Sequence, residues 1–531
     1  MTSPDTNADP PADTGKGVSR RLRGHPWWTL IAVALGVMMT DLNMTIVAVA
    51  NPALQRELGA SLTDVQWITN AYLLALAISL IPAGRLGDRF GHRTVFLIGV
   101  AGFAVTAAFI AVSGHMWLMI ALRVLQGVSG ALIMPSGLSL LRATFPAERL
   151  TMAIGVYGMV IGASTAAGPL VGGLLVEHVG WESVFLLNVP IGAVILALGL
   201  AVLKAHRVEN ATRTFDAAGI ALLSAAMFCL LWPLVNAEAL RRGDAGTWAF
   251  LGASAVLLVL FVLVERRAAE PLLPRRLFAS GPLLAGVILV ALMAFALVGG
   301  LFFITFYLQN IQGLGAGESG LRLLPLTGMM IVAAPLAGRL ITAVGARMPM
   351  VVGMLFTATA LVGVANLDAG SSTAVTLGWF ALLGLGMAPV IVGATGVIVG
   401  NAPIELAGVA SGLHQSALQL GGSLGTAVLS GVMAARVSTA LPDRWTDAGL
   451  APLEPDELGE AAEVVSVGAA PVPEGASAQI ADQIAAVAQA TFLDGMTAAF
   501  LVAAGVALVG ACVALRVKSG ATSESDLTHS Q

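Results

Sequence analysis

Residues 84–93, GRLGDRFGHR, return at residues 338–347 as GRLITAVGAR, so that Gly84, Arg85, Leu86, Gly91 and Arg93 fall on Gly338, Arg339, Leu340, Gly345 and Arg347 at an offset of 254. Held constant, this offset also superposes Gly130 and Pro135 on Gly384 and Pro389, and Gly158, Gly168 and Leu170 on Gly412, Gly422 and Leu424. Any one of these matches is weak in a chain with 61 glycines. A single register kept over four successive apolar segments is much stronger. It implies two homologous halves of six helices in parallel orientation, an arrangement that lets one half rock against the other about a central site.

Composition gives the class. The 531 residues are 57% hydrophobic and 11% charged, with a mean hydropathy of +0.86, whereas an ordinary soluble domain is about 25% charged. Apolar runs of about 20 residues, long enough to cross about 30 Å of hydrocarbon, recur almost end to end. The chain therefore reads as an all-α integral membrane protein with about 14 transmembrane helices. Their cores are predicted at 27–50, 65–83, 94–113, 116–141, 151–176, 183–203, 216–236, 248–264, 281–310, 320–341, 348–366, 373–398, 407–435 and 492–515. The spans at 216–236 and 248–264 have no partner in the repeat and read as a hairpin inserted between two six-helix bundles. Cys229 and Cys512 lie in separate apolar runs, so neither a disulfide framework nor a metal or redox pair is expected.

With the N-terminus placed in the cytoplasm, 20 of the 27 basic residues fall inside and six outside, with Arg123 left within a span. That bias supports an even number of spans with both termini cytoplasmic. The expected division is a disordered N-terminal tail over 1–26, a six-helix bundle over 27–203, a linker with two extra helices over 204–280, a second bundle over 281–515 and a cytoplasmic tail over 516–531. An external loop is expected over 436–490, acidic from Asp443 to Glu474 and ending in a short surface helix. The twin arginines at Arg20 and Arg21 resemble an export signal, but the following apolar run is too long for one and contains Asp41.

Beyond the 84–93 segment, Arg123-Val124-Leu125-Gln126-Gly127, Gly168-Pro169-Leu170-Val171-Gly172-Gly173 and Asp41-Leu42-Asn43-Met44-Thr45-Ile46-Val47 are the most distinctive stretches. Together they resemble the major facilitator superfamily, and within it the fourteen-helix drug/proton antiporter branch, over nearly the whole chain. The resemblance implies the major facilitator fold and export of amphipathic drugs or antibiotics driven by proton flow. It also implies a gate at Gly84, Arg85, Asp88, Arg89, Gly91 and Arg93. A pliable antiporter hinge is implied at Gly158, Gly162, Gly168, Pro169, Gly172 and Gly173, and Arg123 is associated with proton coupling. The second-half copy of the gate carries Thr342 where Asp88 stands, so a charged latch is expected in the first copy.

Helix rise of about 1.5 Å per residue puts Asp41 about 21 Å from the cytoplasmic side and Arg123 about 10 Å from the outer side, at similar depth. A charge inside a span is costly, about 2.5 to 3.5 kcal/mol on insertion scales, so a polar cavity or partner is expected for each. Asp41 reads as a protonatable carboxylate, neutral when occluded and charged when hydrated. Asn43, Thr45, Gln126, Gln309, Asn310, His414 and Gln415 are candidate cargo contacts. No GxxxxGK[ST] loop is present, so the proton gradient is the expected energy source and no cofactor, metal or catalytic constellation is expected. The expected partners are a small amphipathic substrate, protons and the lipid bilayer of the plasma membrane, with no nucleic acid and no obligatory protein partner. Export of an endogenous lipid or secondary metabolite is the nearest alternative. A sensor or scaffold that does not transport is another, and the paired halves and intramembrane charges argue against it.

Overall fold

The computed structural model describes residues 23–58, 62–204, 216–235, 245–268, 271–473 and 476–517. Residues 1–22 of the expected tail 1–26 and residues 518–531 of the expected tail 516–531 lie outside the described residues, as do the linker stretches 205–215 and 236–244. Fourteen long helices and no strand are found among the described residues. They are α1 (Pro26–Leu58), α2 (Leu62–Phe90), α3 (His92–Ala111), α4 (Met116–Thr144), α5 (Ala147–His178), α6 (Glu182–Val202), α7 (Ala217–Val235), α8 (Ala245–Glu265), α9 (Gly281–Ile311, closing in a π-helical turn from Tyr307), α10 (Ala316–Val344), α11 (Arg347–Ala365), α12 (Thr373–Asn401), α13 (Ala407–Asp447) and α14 (Ala478–Ala514). Thirteen of them are long and apolar enough to cross a membrane. The other, α5, has 32 residues, about 48 Å of helix, and runs alongside α1 and α10.

The repeat is repeated in the packing. In the first half α4 packs on α1, α2 and α3, α1 packs also on α5 and α6, and α3 packs on α6. In the second half α12 packs on α9, α10 and α11, α9 packs also on α13 and α14, and α11 packs on α14. Advancing every helix by eight turns the first set of pairs into the second. The halves meet along two seams, α2 against α13 and α5 against α10, which are also images of one another. The α7–α8 hairpin lies outside the α2/α13 seam. Trp232 of α7 sits 4.8 Å from Trp67 of α2, centroid to centroid, and Leu231 packs with Leu74 and Ala77 of α2.

The structure corrects two readings. Residues 84–93, which the predicted spans 65–83 and 94–113 leave between them as a connection, are not a loop: α2 continues to Phe90, α3 begins at His92, and Gly91 alone breaks the helix at φ 90°. The second copy does the same at Gly345, φ 83°. A left-handed backbone costs a non-glycine residue about 1–2 kcal/mol, which explains why this glycine recurs. The expected external loop over 436–490 is largely helical. At about 1.5 Å per residue, the 41 residues of α13 and 37 of α14 far exceed a 30 Å core. Arg436, Pro442 and Asp443 interrupt the apolar sequence, but the helix continues, because Val437, Leu441 and Trp445 recur every four residues and are buried in the core of the second half. The helix Pro455–Ser466 adds Ala461 and Val465 to that core, and α14 adds Ile484 and Val487. Arg444 pairs with Asp494 across the α13–α14 contact at 2.5 Å. The segment is a folded cap on the second half.

Candidate functional site

The first half carries a polar cluster that three helices assemble. Arg123 of α4 is fully buried. Its Nε donates to the carbonyl of Ile68 on α2 at 2.8 Å, and one terminal nitrogen donates to Asn43 Oδ1 of α1 and to Gln126 Oε1, both at 2.6 Å. The guanidinium also lies 4.3 Å from the centroid of the Tyr72 ring. Its charge is thus spread over three neutral oxygens and an aromatic face, with no acid as partner among the described residues.

Asp41 does not pair with Arg123, although the two are at the expected similar depth. Asn43, two residues on, meets the arginine, and two residues turn a helix by about 200°. Asp41 instead shares a face with Thr45, and Thr45 lies against Gly168 of α5, where any Cβ would collide with its hydroxyl. Among the described residues Asp41 Oδ2 is buried without a hydrogen-bond partner. The hydroxyls of Tyr72 and Tyr157 are also buried and unpartnered, and both lie within range of the Asp41 charge. Sequence reasoning passed over these two residues. The signal was their rarity, since the chain contains only three tyrosines.

The cargo candidates are not brought to one place. Asn43 and Gln126 are wholly buried against Arg123, and Thr45 is packed on α5. Asn310 donates to the carbonyl of Val467 in the cap at 2.7 Å, with Gln309 beside it in the π-helical turn. His414 and Gln415 are buried in α13, and His414 Nε2 is 2.8 Å from Thr395 Oγ1 of α12.

A second constellation lies where the halves meet. Both carboxylate oxygens of Asp88 accept backbone N–H groups from the first turn of α13, Gly408 at 2.8 Å and Val409 at 3.0 Å, and His92 Nε2 lies 3.2 Å from Oδ1. A carboxylate at a helix N-terminus takes up otherwise unsatisfied N–H groups and complements the helix dipole. Gly84 and Gly408 are face to face, each occupying the space a side chain on the other would need. Nearby, Ser139 of α4 meets Ser411 at 3.3 Å and Arg142 donates to the carbonyl of Ala402. Arg93 donates to the Leu200 carbonyl of α6 at 3.2 Å, while Asp88 engages α13.

Among the described residues, the seams are tightest on this side. The core of the first half that reaches it includes Ala333, Ala334, Ile341, Ala388, Val392 and Val399 of the second half. The core at the far end, around Ile46, Leu54, Trp181 and Phe185, contains first-half residues alone. Along α5, a Cβ at Gly155 would lie 2.8 Å from the Ala334 carbonyl, whereas one at Gly162, two turns further out, would make an ordinary 3.5 Å contact with Ile331. Gly158 and Gly173 face open space, and α5 continues through Pro169 without a break.

Two pseudo-symmetric bundles closed at one end around an intramembrane polar cluster define a multi-pass membrane transporter. Residues 33–426 match the Major Facilitator Superfamily, and the chain belongs to that family. It is 56% identical over 507 residues to the Tetracenomycin C resistance and export protein of Streptomyces glaucescens, covering 96% of this chain and 94% of that one. It is 33% identical over 502 residues to the Multidrug efflux pump LfrA of Mycolicibacterium smegmatis, covering 94% and 97%. The human organic anion transporter MFSD10 has the same fold at 15% identity, with a TM-score of 0.61 over 92% of this chain and 99% of that one.

Proposed function

We propose that this protein exports amphipathic, antibiotic-like compounds across the plasma membrane by alternating access, driven by inward proton flow, with both termini in the cytoplasm. The observation that carries the reading is Asp41, an acid in a membrane span whose Oδ2 is buried with no partner among the described residues, with the likewise unpartnered hydroxyls of Tyr72 and Tyr157 within range of its charge. An intramembrane acid without a fixed counter-charge suits a proton site, because it changes charge when water reaches it. With the 84–93 side facing the cytoplasm, as the basic-residue bias requires, the present arrangement is closed inside and loosened outside. Asp88 holds it closed, and Arg123 fixes α1, α2 and α4 as one block beside the proton site. A membrane potential of 100 mV supplies about 2.3 kcal/mol per charge moved. The names of the two relatives, one for resistance and export and one for multidrug efflux, support export as the direction and a drug-like cargo.

The test uses protein reconstituted in liposomes, with tetracenomycin C as probe and an imposed pH gradient. Wild type accumulates the probe against its gradient, and collapse of the pH gradient stops it. Asp41→Asn is expected to bind the probe but lose gradient-driven accumulation. Accumulation equal to wild type in Asp41→Asn removes the assignment of the proton site.

A further inference from the structure

The stretch Pro271-Leu272-Leu273-Pro274 follows α8 and lies outside the long helices. Proline carries no N–H, so its only backbone donors are those of Leu272 and Leu273, and Glu265 takes both. Glu265 Oε1 accepts from Leu272 at 2.8 Å and Oε2 from Leu273 at 3.2 Å. Glu265 is the last residue of α8, where a negative charge opposes the helix dipole; the two bonds offset that cost. Held in this way, Leu272 is 1% exposed and belongs to a cluster with Ile81 of α2, Leu223 of α7 and Phe261 of α8, against which Leu413 of α13 packs. The cluster thus spans the α2/α13 seam and joins residues of both halves.

A second acid meets Glu265. Asp216 caps α7, its Oδ1 accepting the Gly219 N–H at 2.7 Å. Its Oδ2 is buried and meets no N–H or hydroxyl donor among the described residues. What it meets is Glu265: Asp216 Oδ2 and Glu265 Oε1 converge on Gly219, where an added Cβ would collide with both, and the two carboxyl groups are in hydrogen-bond contact. A carboxyl group donates such a bond only when protonated, and two charged carboxylates repel, so the pair holds one proton. On the elements packed around it, Arg85 and Asp88 lie beyond Ile81 on α2, with Asp88 bound to α13, and Arg89 lies over the Phe90 ring. His414 of α13 turns to Thr395, and Arg266, Arg267 and Arg276 are exposed. Among the described residues, Asp216 is the one charged group within range of Glu265.

We propose that residues 271–274 form a strap across the closed α2/α13 seam, released when the proton shared by Asp216 and Glu265 is lost. With both acids ionised, the N-terminus of α7 favours the charge on Asp216, whereas the C-terminus of α8 disfavours that on Glu265. Glu265 then swings away and frees Leu272 and Leu273. Ile81 and Leu413 lose the side chain packed with them, and α2 parts from α13 more easily. With the closed side in the cytoplasm, as the proposed topology has it, a rise in cytoplasmic pH releases the strap. The strap itself depends neither on that orientation nor on Asp41 as the proton site.

Hydrogen exchange of the full-length protein in neutral detergent, read by mass spectrometry on peptides covering 271–274 and corrected for intrinsic rates, tests it. Leu272 and Leu273 should be protected at about pH 6 and lose at least about ten-fold in protection by about pH 8.5, since each pH unit is ten-fold in a protonation equilibrium. Asp216→Asn still caps α7 and gives Glu265 an N–H donor that needs no shared proton, so its protection should agree within about two-fold at the two pH values. Glu265→Ala should leave both amides unprotected at either pH. Ser411, wholly buried at the seam, reports opening as Ser411→Cys in a chain lacking Cys229 and Cys512. There Leu272→Ala should speed alkylation by a water-soluble maleimide at least about five-fold, through the lost packing. Equal protection of wild type at both pH values, or a pH dependence that persists in Asp216→Asn, would overturn the shared proton. Wild-type protection in Glu265→Ala, or an unchanged alkylation rate in Leu272→Ala, would overturn the strap.

Discussion

Replacing Asp88 by Asn tests whether the inner seam is held by the carboxylate. The substitution keeps the shape but removes the charge, and it sets an amide NH2 against one of the two N–H groups that Asp88 now accepts from Gly408 and Val409. A hydrogen bond to a charged group contributes about 1.5–3 kcal/mol and a neutral one about 0.5–1.5. One bond is lost and the other weakened, and the anion at the helix N-terminus, about 0.3–1 kcal/mol by itself, disappears. The closed state should lose roughly 2–4 kcal/mol relative to the open one, a shift of about thirty-fold or more. Ser411, wholly buried at the seam and 3.3 Å from Ser139, provides the readout as Ser411→Cys in a background lacking Cys229 and Cys512. Alkylation by a water-soluble maleimide from the cytoplasmic side should be rare in the parent and at least ten-fold faster with Asp88→Asn. A change below two-fold would refute the idea that these two bonds keep the seam shut.

Other consequences follow from the same contacts. Arg123→Gln should cost at least about 3 kcal/mol, since three buried oxygens lose a charged donor, seen as a lower melting temperature and lost transport. Arg123→Lys should recover stability only in part, because an ammonium cannot reproduce the planar fork that reaches Asn43, Gln126 and Ile68. Gly168→Ala should destabilise by about 1–3 kcal/mol through overpacking on Thr45. Adding Thr45→Ala should restore only part of that loss, because the Cβ of residue 45 stays 2.6 Å from the new methyl, and a double-mutant cycle in thermal stability with no coupling would contradict the close contact of α1 with α5.

Much of the architecture was legible because a membrane imposes a length and a composition on every span. The fourteen apolar runs, the 254-residue offset and the unpaired hairpin all reappear as helices and as packing pairs. The ends of helices were less legible. Residues 84–90 and 436–447 carry charges and prolines that read as surface, yet both stretches remain helical, since a helix satisfies its own backbone in water as well as in lipid.

At the site, the sequence identified Asp41 and Arg123 by the cost of placing charge in hydrocarbon, a cost that depends on residue type and depth alone, and Asp88 through the motif that carries the family resemblance. Their partners depend on azimuth around each helix and on which helices cross, and no one-dimensional spacing contains that. So Asp41 and Arg123, equal in depth, face different neighbours. Tyr72 and Tyr157 join Asp41 from two other helices, and Asp88 reaches 320 residues along the chain to the first turn of α13. The sequence by itself determined a two-fold repeat of membrane helices with a few costly charges. Only the tertiary structure decided which of those charges meet, because pairing is a matter of direction as well as distance.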